Sequence, residues 1–121
     1  MKKKTRHEFR IKRAYDEPSA QDGFRFLVDR LWPRGLKKEA LPLTGWLKEA
    51  APSSDLRKWF AHDPAKWVEF RRRYRAELKK NPAWRPLLTA VQNKNVTLLF
   101  SARDAKINQA AVLKKFLEQQ Q

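Results

Sequence analysis

The chain contains no cysteine, and only three glycines and two histidines occur among its 121 residues. Without cysteine, disulfides, thiolate metal sites and a cysteine nucleophile are excluded, and the composition fits a reducing compartment. Three glycines in the entire chain provide no phosphate-binding glycine loop. Two histidines do not make a histidine metal cluster. The composition therefore predicts neither a metal nor a cofactor.

Long apolar runs are also missing. The longest span about five residues, against the roughly 20 needed to cross a bilayer, and the amino terminus lacks the apolar stretch of a secretory signal. We therefore expect a cytoplasmic protein without membrane contact. Hydrophobic residues make up 41% of the chain and include five tryptophans, which predicts a folded core. The length suits one domain over residues 1–121, with residues 1–6 as a flexible basic tail.

Acidic residues are scarce beside basic ones. The chain has 13 Asp and Glu against 28 Lys and Arg, for a net charge of +15. Such a surface attracts polyanions through long-range, salt-sensitive steering, although charge alone specifies no partner. Part of the excess lies in residues 1–13, and part surrounds Arg71, Arg72 and Arg75 on a predicted helix. A nucleic-acid-associated module with non-specific binding is therefore one of two hypotheses for function.

Apolar periodicity predicts an alternation of strands and helices. Residues 7–13 alternate polar and apolar side chains, and residues 24–29 and 96–100 are apolar runs, so all three are predicted strands. The link between the first two is too short to show whether it crosses over or reverses. Residues 35–45 are predicted to be an irregular connection and 46–50 a short helix.

Helices are predicted from helical spacing and from capping residues. Ser53 or Ser54 caps the first helix, and an Asp-Pro pair at 63–64 starts the second. The predicted helices cover residues 55–61, 64–80, 82–92 and 106–119. Strands followed by helices favour an α/β fold, with a small central sheet, mainly parallel, of about three to four strands covered by helices.

Two predicted strands end in similar polar segments. Asp29 ends one of them and is followed by Arg30 and, four residues later, by Arg34. The strand over 96–100 leads into Arg103 and Asp104. Ligands bind beyond the carboxyl ends of parallel strands. If the two strands are parallel neighbours, the three arginines converge on one edge of the sheet.

Arginine presents a planar fork of donors that suits phosphate or carboxylate. The first hypothesis for function is therefore binding of a small anionic ligand, with Asp29, His62 and Asp104 as candidate proton carriers if the protein is an enzyme. The two aspartates could instead orient the arginines, or pair with them merely to close the sheet edge. Trp32 is either a packing lid or a ligand platform. Asn108 could reach the same edge from the start of the last helix.

Several long motifs resemble a known family, in order, over nearly the whole chain. They are DRLWPRG at 29–35, WLKE at 46–49, APS at 51–53, LRKWF at 56–60, HD at 62–63 and TLLFSARD at 97–104, with Asn108. Together they resemble the YeaO-like branch of domain-of-unknown-function family 488. The resemblance implies a compact bacterial cytosolic α/β domain, supports the site residues, and supplies no reaction. Tyr15 matches the family pattern at the end of the first strand, which makes it a further candidate for ligand binding. The oligomeric state and the question of catalysis stay open.

Overall fold

Parallel strands form the centre of the molecule, and helices cover them. The computed structural model describes residues 7–121. The strands in this range are β1 (Phe9–Arg13), β2 (Phe24–Leu27), β3 (Gly45–Trp46) and β4 (Val96–Phe100). The α-helices are α1 (Ser54–Phe60), α2 (Trp67–Lys80), α3 (Arg85–Ala90) and α4 (Gln109–Gln120). Every strand pair is parallel, so the predicted small, mainly parallel α/β sheet is confirmed.

The strand order is β1-β4-β2-β3, which places β4 between β1 and β2. Val96 of β4 pairs with Phe9 on one side and with Phe24 on the other. β2 and β4 are thus parallel neighbours, which is the condition on which the predicted site depended. β1 and β2 also point the same way, because each runs parallel to the strand between them.

Strand β4 divides its side chains between two apolar clusters, as expected for a strand covered on both faces. Val96, Leu98 and Phe100 belong to the larger cluster, to which all four α-helices contribute. Leu99 belongs to a smaller cluster with Leu41, which lies in the irregular chain between β2 and β3. The sheet is therefore a middle layer, with helices on one face and an irregular connection on the other.

Side-chain caps fix where the helices begin. Ser53 Oγ accepts a hydrogen bond from the backbone N of Leu56 (3.2 Å) at the start of α1. Asp63 Oδ1 accepts from the backbone N of Ala65 (2.9 Å) and begins the 3-10 turn that leads into α2. Both caps are those predicted from the sequence, and each satisfies a backbone donor that the first turn leaves unpaired.

Helix α2 buries one stripe of side chains and exposes another, as its spacing predicts. Phe70, Tyr74 and Leu78 are buried, whereas Arg71 and Arg72 are exposed. The stripe packs into the larger apolar cluster. The charged face of α2 therefore stays available at the surface.

The chain after Pro42 differs from the predicted irregular connection and short helix. Gly45–Trp46 forms the edge strand β3, in which Gly45 pairs with Phe26 of β2, and a 3-10 helix follows at Lys48–Ala50. The predicted short helix over 46–50 is therefore present only as this three-residue 3-10 helix, and Trp46 belongs to a strand instead. Two strand residues are too few to produce a visible alternation, so no periodic signal marks β3.

Helix α4 begins at Gln109, three residues later than predicted. Asp104 Oδ1 accepts hydrogen bonds from the backbone N of Lys106 (2.8 Å) and Ile107 (2.9 Å). These bonds hold the residues before α4 in a separate turn, and Asn108 then caps the helix.

Two further predictions concern the ends and the surroundings of the domain. The basic tail at residues 1–6 lies outside the described residues, and the single domain over 1–121 stays a prediction. Across residues 7–121, no helix combines the length and the apolarity needed to cross a bilayer.

Candidate functional site

A cavity of about 380 Å³ opens where the carboxyl ends of β1, β2 and β4 meet. Side chains from α1, α2 and the start of α4 complete its wall. The predicted site residues that line it are Tyr15, Asp29, Arg30, Trp32, Arg34 and His62. The other lining residues are Leu31, Pro52, Arg57, Phe60, Phe70, Ser101, Ala102 and Gln109. The cavity lies at the sheet edge at which parallel α/β sheets bind ligands.

Asp29 joins three elements at this edge. It follows β2 and is buried, and its Oδ2 accepts hydrogen bonds from the backbone N (2.9 Å) and the Oγ (2.7 Å) of Ser101, beyond β4. Its Oδ1 accepts from the side-chain amide of Gln109, the first residue of α4. Burial raises the pKa of Asp29, and the hydrogen bonds from Ser101 and Gln109 offset that rise in part. Both carboxylate oxygens are therefore engaged in holding the edge together.

Arg30 is held against the neighbouring loop. Its Nε donates to the carbonyl oxygen of Pro52 (3.0 Å) and its Nη2 to that of Ala51 (3.4 Å). Its Nη1 lies 3.9 Å from a carboxylate oxygen of Glu49, which is exposed. An ion pair of this length at the surface contributes little free energy, and the two carbonyl acceptors carry no net charge, so Arg30 brings positive charge to the cavity wall.

The turn after β2 holds Arg34 at the mouth of the cavity. The Tyr15 hydroxyl donates to the carbonyl oxygen of Arg34 (2.7 Å), and Trp32 Nε1 donates to that of Leu36 (2.6 Å). Gly35 has a φ of 82°, a left-handed conformation that glycine adopts without a side-chain clash. The backbone of Arg34 is thus fixed, while its side chain is exposed.

Trp32 has one side against the protein and one side on the cavity. Its ring lies edge-on to that of Trp46, with centroids 5.4 Å apart, and packs on the smaller apolar cluster. It also lines the cavity. The structure therefore gives Trp32 a packing contact and leaves it placed to contact a ligand as well.

Arg57 on α1 is the wall residue with the least satisfied side chain. Its Nε is buried, and within residues 7–121 it has no hydrogen-bond partner. No carboxylate in the described part of the chain forms an ion pair with its guanidinium. A buried donor without a partner costs about 1–3 kcal/mol, so a rotation of the Arg57 side chain that brings Nε onto an acceptor in the cavity is favoured.

His62 reaches the cavity from a strained turn. It has a φ of 57° and Ala61 before it a φ of 47°, both in the left-handed region that non-glycine residues rarely occupy. Asp63 fixes the far side of this turn through its cap. Strain of this kind is common at functional sites, although it does not identify a function by itself. The described residues contain no group of three potential metal ligands.

Three predicted site residues lie outside the cavity wall. Asp104 is exposed, and its backbone hydrogen bonds from Ile107 and Lys106 lower its pKa. Asn108 is buried, donates to the carbonyl oxygen of Asp104 (2.9 Å) and caps α4. Arg103 is exposed. The turn over residues 104–107 therefore keeps these three side chains off the cavity wall, whereas Ala102 before it and Gln109 after it lie on the wall.

The hypothesis that the site arginines merely pair with their adjacent aspartates is wrong. Among residues 7–121, neither Arg30 with Asp29 nor Arg103 with Asp104 forms an ion pair. Hydrogen-bond donors occupy both oxygens of Asp29, and backbone donors from residues 106 and 107 hold Asp104 in its own turn through Oδ1.

The arginines named for nucleic acid lie on α2, away from the cavity wall. Arg72 donates to both carboxylate oxygens of Glu69 (3.0 and 2.5 Å). Hydrogen bonds from Arg72 and then Arg73 lower the pKa of Glu69 to about 2. Arg71 lies over the Trp67 ring (5.6 Å), which leaves less of that ring open to a base.

Comparison with known proteins places the chain in a family. Residues 8–121 match a family model described as "Inactive DUF488-N3 subclade". The chain belongs to this DUF488 subclade. The uncharacterized protein YeaO of Escherichia coli (strain K12) is 44% identical over 107 residues, which cover 88% of this chain and 93% of YeaO. The resemblance to the YeaO-like branch is therefore confirmed.

A mycobacterial relative shows the same coverage. The uncharacterized protein Rv3073c of Mycobacterium tuberculosis (strain ATCC 25618 / H37Rv) is 37% identical over 108 residues, which cover 89% of this chain and 92% of the relative. No solved structure matches the chain. The DUF488 assignment thus covers almost the whole chain and comes without an established activity.

Among the wall residues of this DUF488 domain that the sequence did not indicate as site residues, Arg57 and Gln109 bear most on binding. Arg57 belongs to the LRKWF motif at 56–60, in which Leu56 and Phe60 mark the buried side of α1. Gln109 follows the cap of α4 and reaches Asp29. The motif and the cap were visible signals, but the direction of either side chain depends on how its helix docks on the sheet.

Proposed function

We propose that this DUF488 protein binds a small phosphate- or carboxylate-bearing molecule in the cavity at the sheet edge, and holds it without transforming it. The observation that carries the proposal is Arg57, whose buried Nε lacks a partner among the described residues and whose side chain lines the cavity. A phosphate or carboxylate oxygen is the kind of acceptor that a guanidinium group prefers.

The charges around the cavity favour an anion. Arg30, Arg34 and Arg57 line it, against one carboxylate, that of Asp29. Since burial raises the pKa of Asp29, its negative charge is itself disfavoured there. Three guanidinium groups against one carboxylate give the site a net positive charge. Because the cavity is partly enclosed, this charge attracts an anionic ligand more strongly than it would in open water.

The size of the cavity restricts the ligand to a small molecule. Its volume of about 380 Å³ lies at the lower end of the range found for ligand pockets, roughly 300–1,000 Å³. Trp32, Phe60 and Phe70 supply apolar wall beside the arginines. A molecule with one anionic group and a compact organic body fits this combination better than an extended polymer.

The same groups support binding over catalysis. Both oxygens of Asp29 already accept hydrogen bonds, and Asp104 lies outside the cavity. His62 is the remaining candidate for proton transfer on the wall. The description of the subclade as inactive agrees with a binding role. We place this binding in the cytoplasm, where the cysteine-free composition fits the reducing conditions.

The proposal is tested by titrating the full chain with a panel of anions: inorganic phosphate, sulfate, nucleoside monophosphates, sugar phosphates and di- and tricarboxylates. We expect at least one to raise the melting temperature in a saturable way, since a ligand that binds only the folded state stabilises it. Arg57→Gln should weaken that binding by on the order of ten- to a hundredfold, the effect of losing a charge-assisted hydrogen bond.

Arg103→Gln is the matched control, because it removes the same charge from an exposed position at the same sheet edge but outside the cavity. It should leave the affinity within about twofold, since water and salt screen exposed charges. No saturable shift with any anion, or equal weakening by the two variants, would refute the proposal.

A further inference from the structure

A groove of about 560 Å³ runs between helices α2 and α4 and shares no lining residue with the cavity. Its apolar part includes Val68 on α2 and Ala111 on α4, and its basic rim includes Arg71, Arg75 and Lys115. We call this surface the α2/α4 groove. In this groove an exposed apolar side chain lies beside cations from both helices.

The apolar part of the α2/α4 groove is open to solvent. Val68 is 71% exposed, although an aliphatic side chain on the surface of a helix gains by being covered. Ala111 is half-buried beside it, and Val112 closes the bottom. Single exposed apolar residues are common, but here the exposed valine borders a concave surface, which an apolar side chain of a partner can fill.

The rim of the groove carries positive charge that the protein does not neutralise. Within residues 7–121, Arg71, Arg75 and Lys115 form no ion pair with a carboxylate. Arg75 instead donates to the side-chain oxygen of Gln119, which is uncharged. No carboxylate lines the groove. An acidic partner therefore meets attraction from both helices and no repulsion from the wall.

The spacing of the rim suits a helical partner. Arg71 and Arg75 are four residues apart on α2, which is about one turn or 6 Å along the axis. On a partner helix that lies along α2, carboxylates four residues apart have the same spacing as these two arginines. Side chains between those carboxylates, on the face toward the groove, would contact Val68. We propose that the α2/α4 groove binds an acidic amphipathic helix of a partner protein.

Other occupants fit less well. A second copy of this chain carries +15 of net charge, and Asp16 and Glu17 are its only adjacent pair of acidic residues, so like charges repel. Single-stranded nucleic acid needs open aromatic faces on which bases stack. Trp67 is the aromatic residue of the groove; its ring stacks with Phe70 (5.8 Å between centroids) and has Arg71 over it. The aliphatic floor instead matches aliphatic side chains.

The test uses the full chain and a fluorescent synthetic helix of about four turns, with leucines at i, i+3, i+4 and i+7, glutamates at the positions beside them, and alanines elsewhere to support the helix. Its binding is followed by fluorescence anisotropy at roughly 0.15 M salt. A second peptide has every glutamate replaced by glutamine, and a thymidine oligonucleotide of similar length serves as the nucleic-acid competitor. We expect saturable binding of the acidic peptide, and binding of the glutamine peptide at least tenfold weaker.

Two double charge reversals with the same change in net charge locate the contact. Arg71→Glu with Lys115→Glu should weaken the acidic peptide by on the order of tenfold or more, whereas Lys37→Glu with Lys38→Glu, at exposed positions outside the groove, should change it by less than about twofold. Val68→Glu, at a position that is 71% exposed, places a carboxylate in the apolar part of the groove and should weaken binding of the acidic peptide as well.

Three results would overturn the proposal. They are the absence of saturable binding by the acidic peptide, equal weakening by the two double variants, and tighter binding of the oligonucleotide than of the peptide at the same groove. The last result would assign the groove to nucleic acid. Circular dichroism on each variant shows that a lost signal reports the groove and not a lost fold.

Discussion

Replacing Asp29 separates its structural role from its charge. Asp29→Ala removes the acceptor for three donors, namely the backbone N and Oγ of Ser101 and the amide of Gln109. The hydroxyl and the amide can turn to other partners, but the backbone N cannot. One buried donor left without a partner costs about 1–3 kcal/mol, so we expect Asp29→Ala to lower the free energy of unfolding by about 2 kcal/mol.

Asp29→Asn keeps the shape and removes the charge. Its amide oxygen can face Ser101 while its NH2 group faces Gln109, whose own amide can turn to present oxygen. The variant also removes the unfavourable ionisation that the raised pKa of Asp29 implies. We therefore expect Asp29→Asn to change the free energy of unfolding by less than about 1 kcal/mol at neutral pH.

The pH dependence of Asp29 follows from the direction of its pKa shift. Since its pKa is higher in the folded protein than the ordinary 3.8, the native state takes up the proton first as the pH falls. Wild-type stability relative to Asp29→Asn should then rise as the pH falls through the folded pKa, and level off below the unfolded value. The assay is chemical denaturation of both proteins between about pH 7 and pH 3. A difference that stays flat, or that falls with decreasing pH, would refute the reasoning.

Two other sites give predictions of known direction. Asp22 is buried between Lys12 (2.9 Å) and Arg25; burial raises its pKa, but hydrogen bonds from Lys12, Ser19 and Arg25 outweigh this and lower it. Asp22→Asn should therefore lower the free energy of unfolding by roughly 3 kcal/mol at pH 7 in denaturation experiments. The difference between the two proteins should shrink as the pH falls below 3.8, because the wild-type protein then loses the same stabilisation. Gly23→Ala should lower the free energy of unfolding by about 3 kcal/mol or more, because the added Cβ would lie 2.1 Å from the backbone oxygen of Asn95, at a φ of 67°. Gly35→Ala has a similar φ of 82° but open space around the added Cβ, so it should lower the free energy of unfolding by only about 1–2 kcal/mol. Similar melting temperatures for the two glycine variants would contradict this.

Local sequence pattern was sufficient to predict the longer elements that are buried along one or both faces. The run at 96–100 is buried throughout, and apolar except for Thr97, because β4 is covered on both faces. The stripe on α2 follows helical spacing because one side of the helix packs into the larger apolar cluster. Neither signal depends on distant residues. β3 is different, since Gly45 and Trp46 join the sheet only through pairing with β2, which no local pattern encodes.

The sequence predicted where the candidate site lies better than it predicted which side chains contact one another there. Neighbouring parallel strands brought Asp29 and Arg30 to the edge that the sequence indicated. The direction of each side chain was decided by hydrogen bonds to residues far along the chain. Asp29 turned to Ser101, and Asp104 to its own turn, which left Arg103 outside. Arg57 faces the cavity because of the way α1 packs against the rest of the domain, and this tertiary packing is not encoded in the local sequence.

The central claim is that the Arg57 Nε–H group donates to a bound anion, and nitrogen-edited NMR of the arginine side chains tests it most directly. The full chain is titrated with the tightest-binding anion of the panel. We predict a saturable shift of the Arg57 Hε resonance to lower field, while that of Arg103 stays unchanged. An unmoved Arg57 resonance at saturating anion, or equal movement of both resonances, would contradict the account.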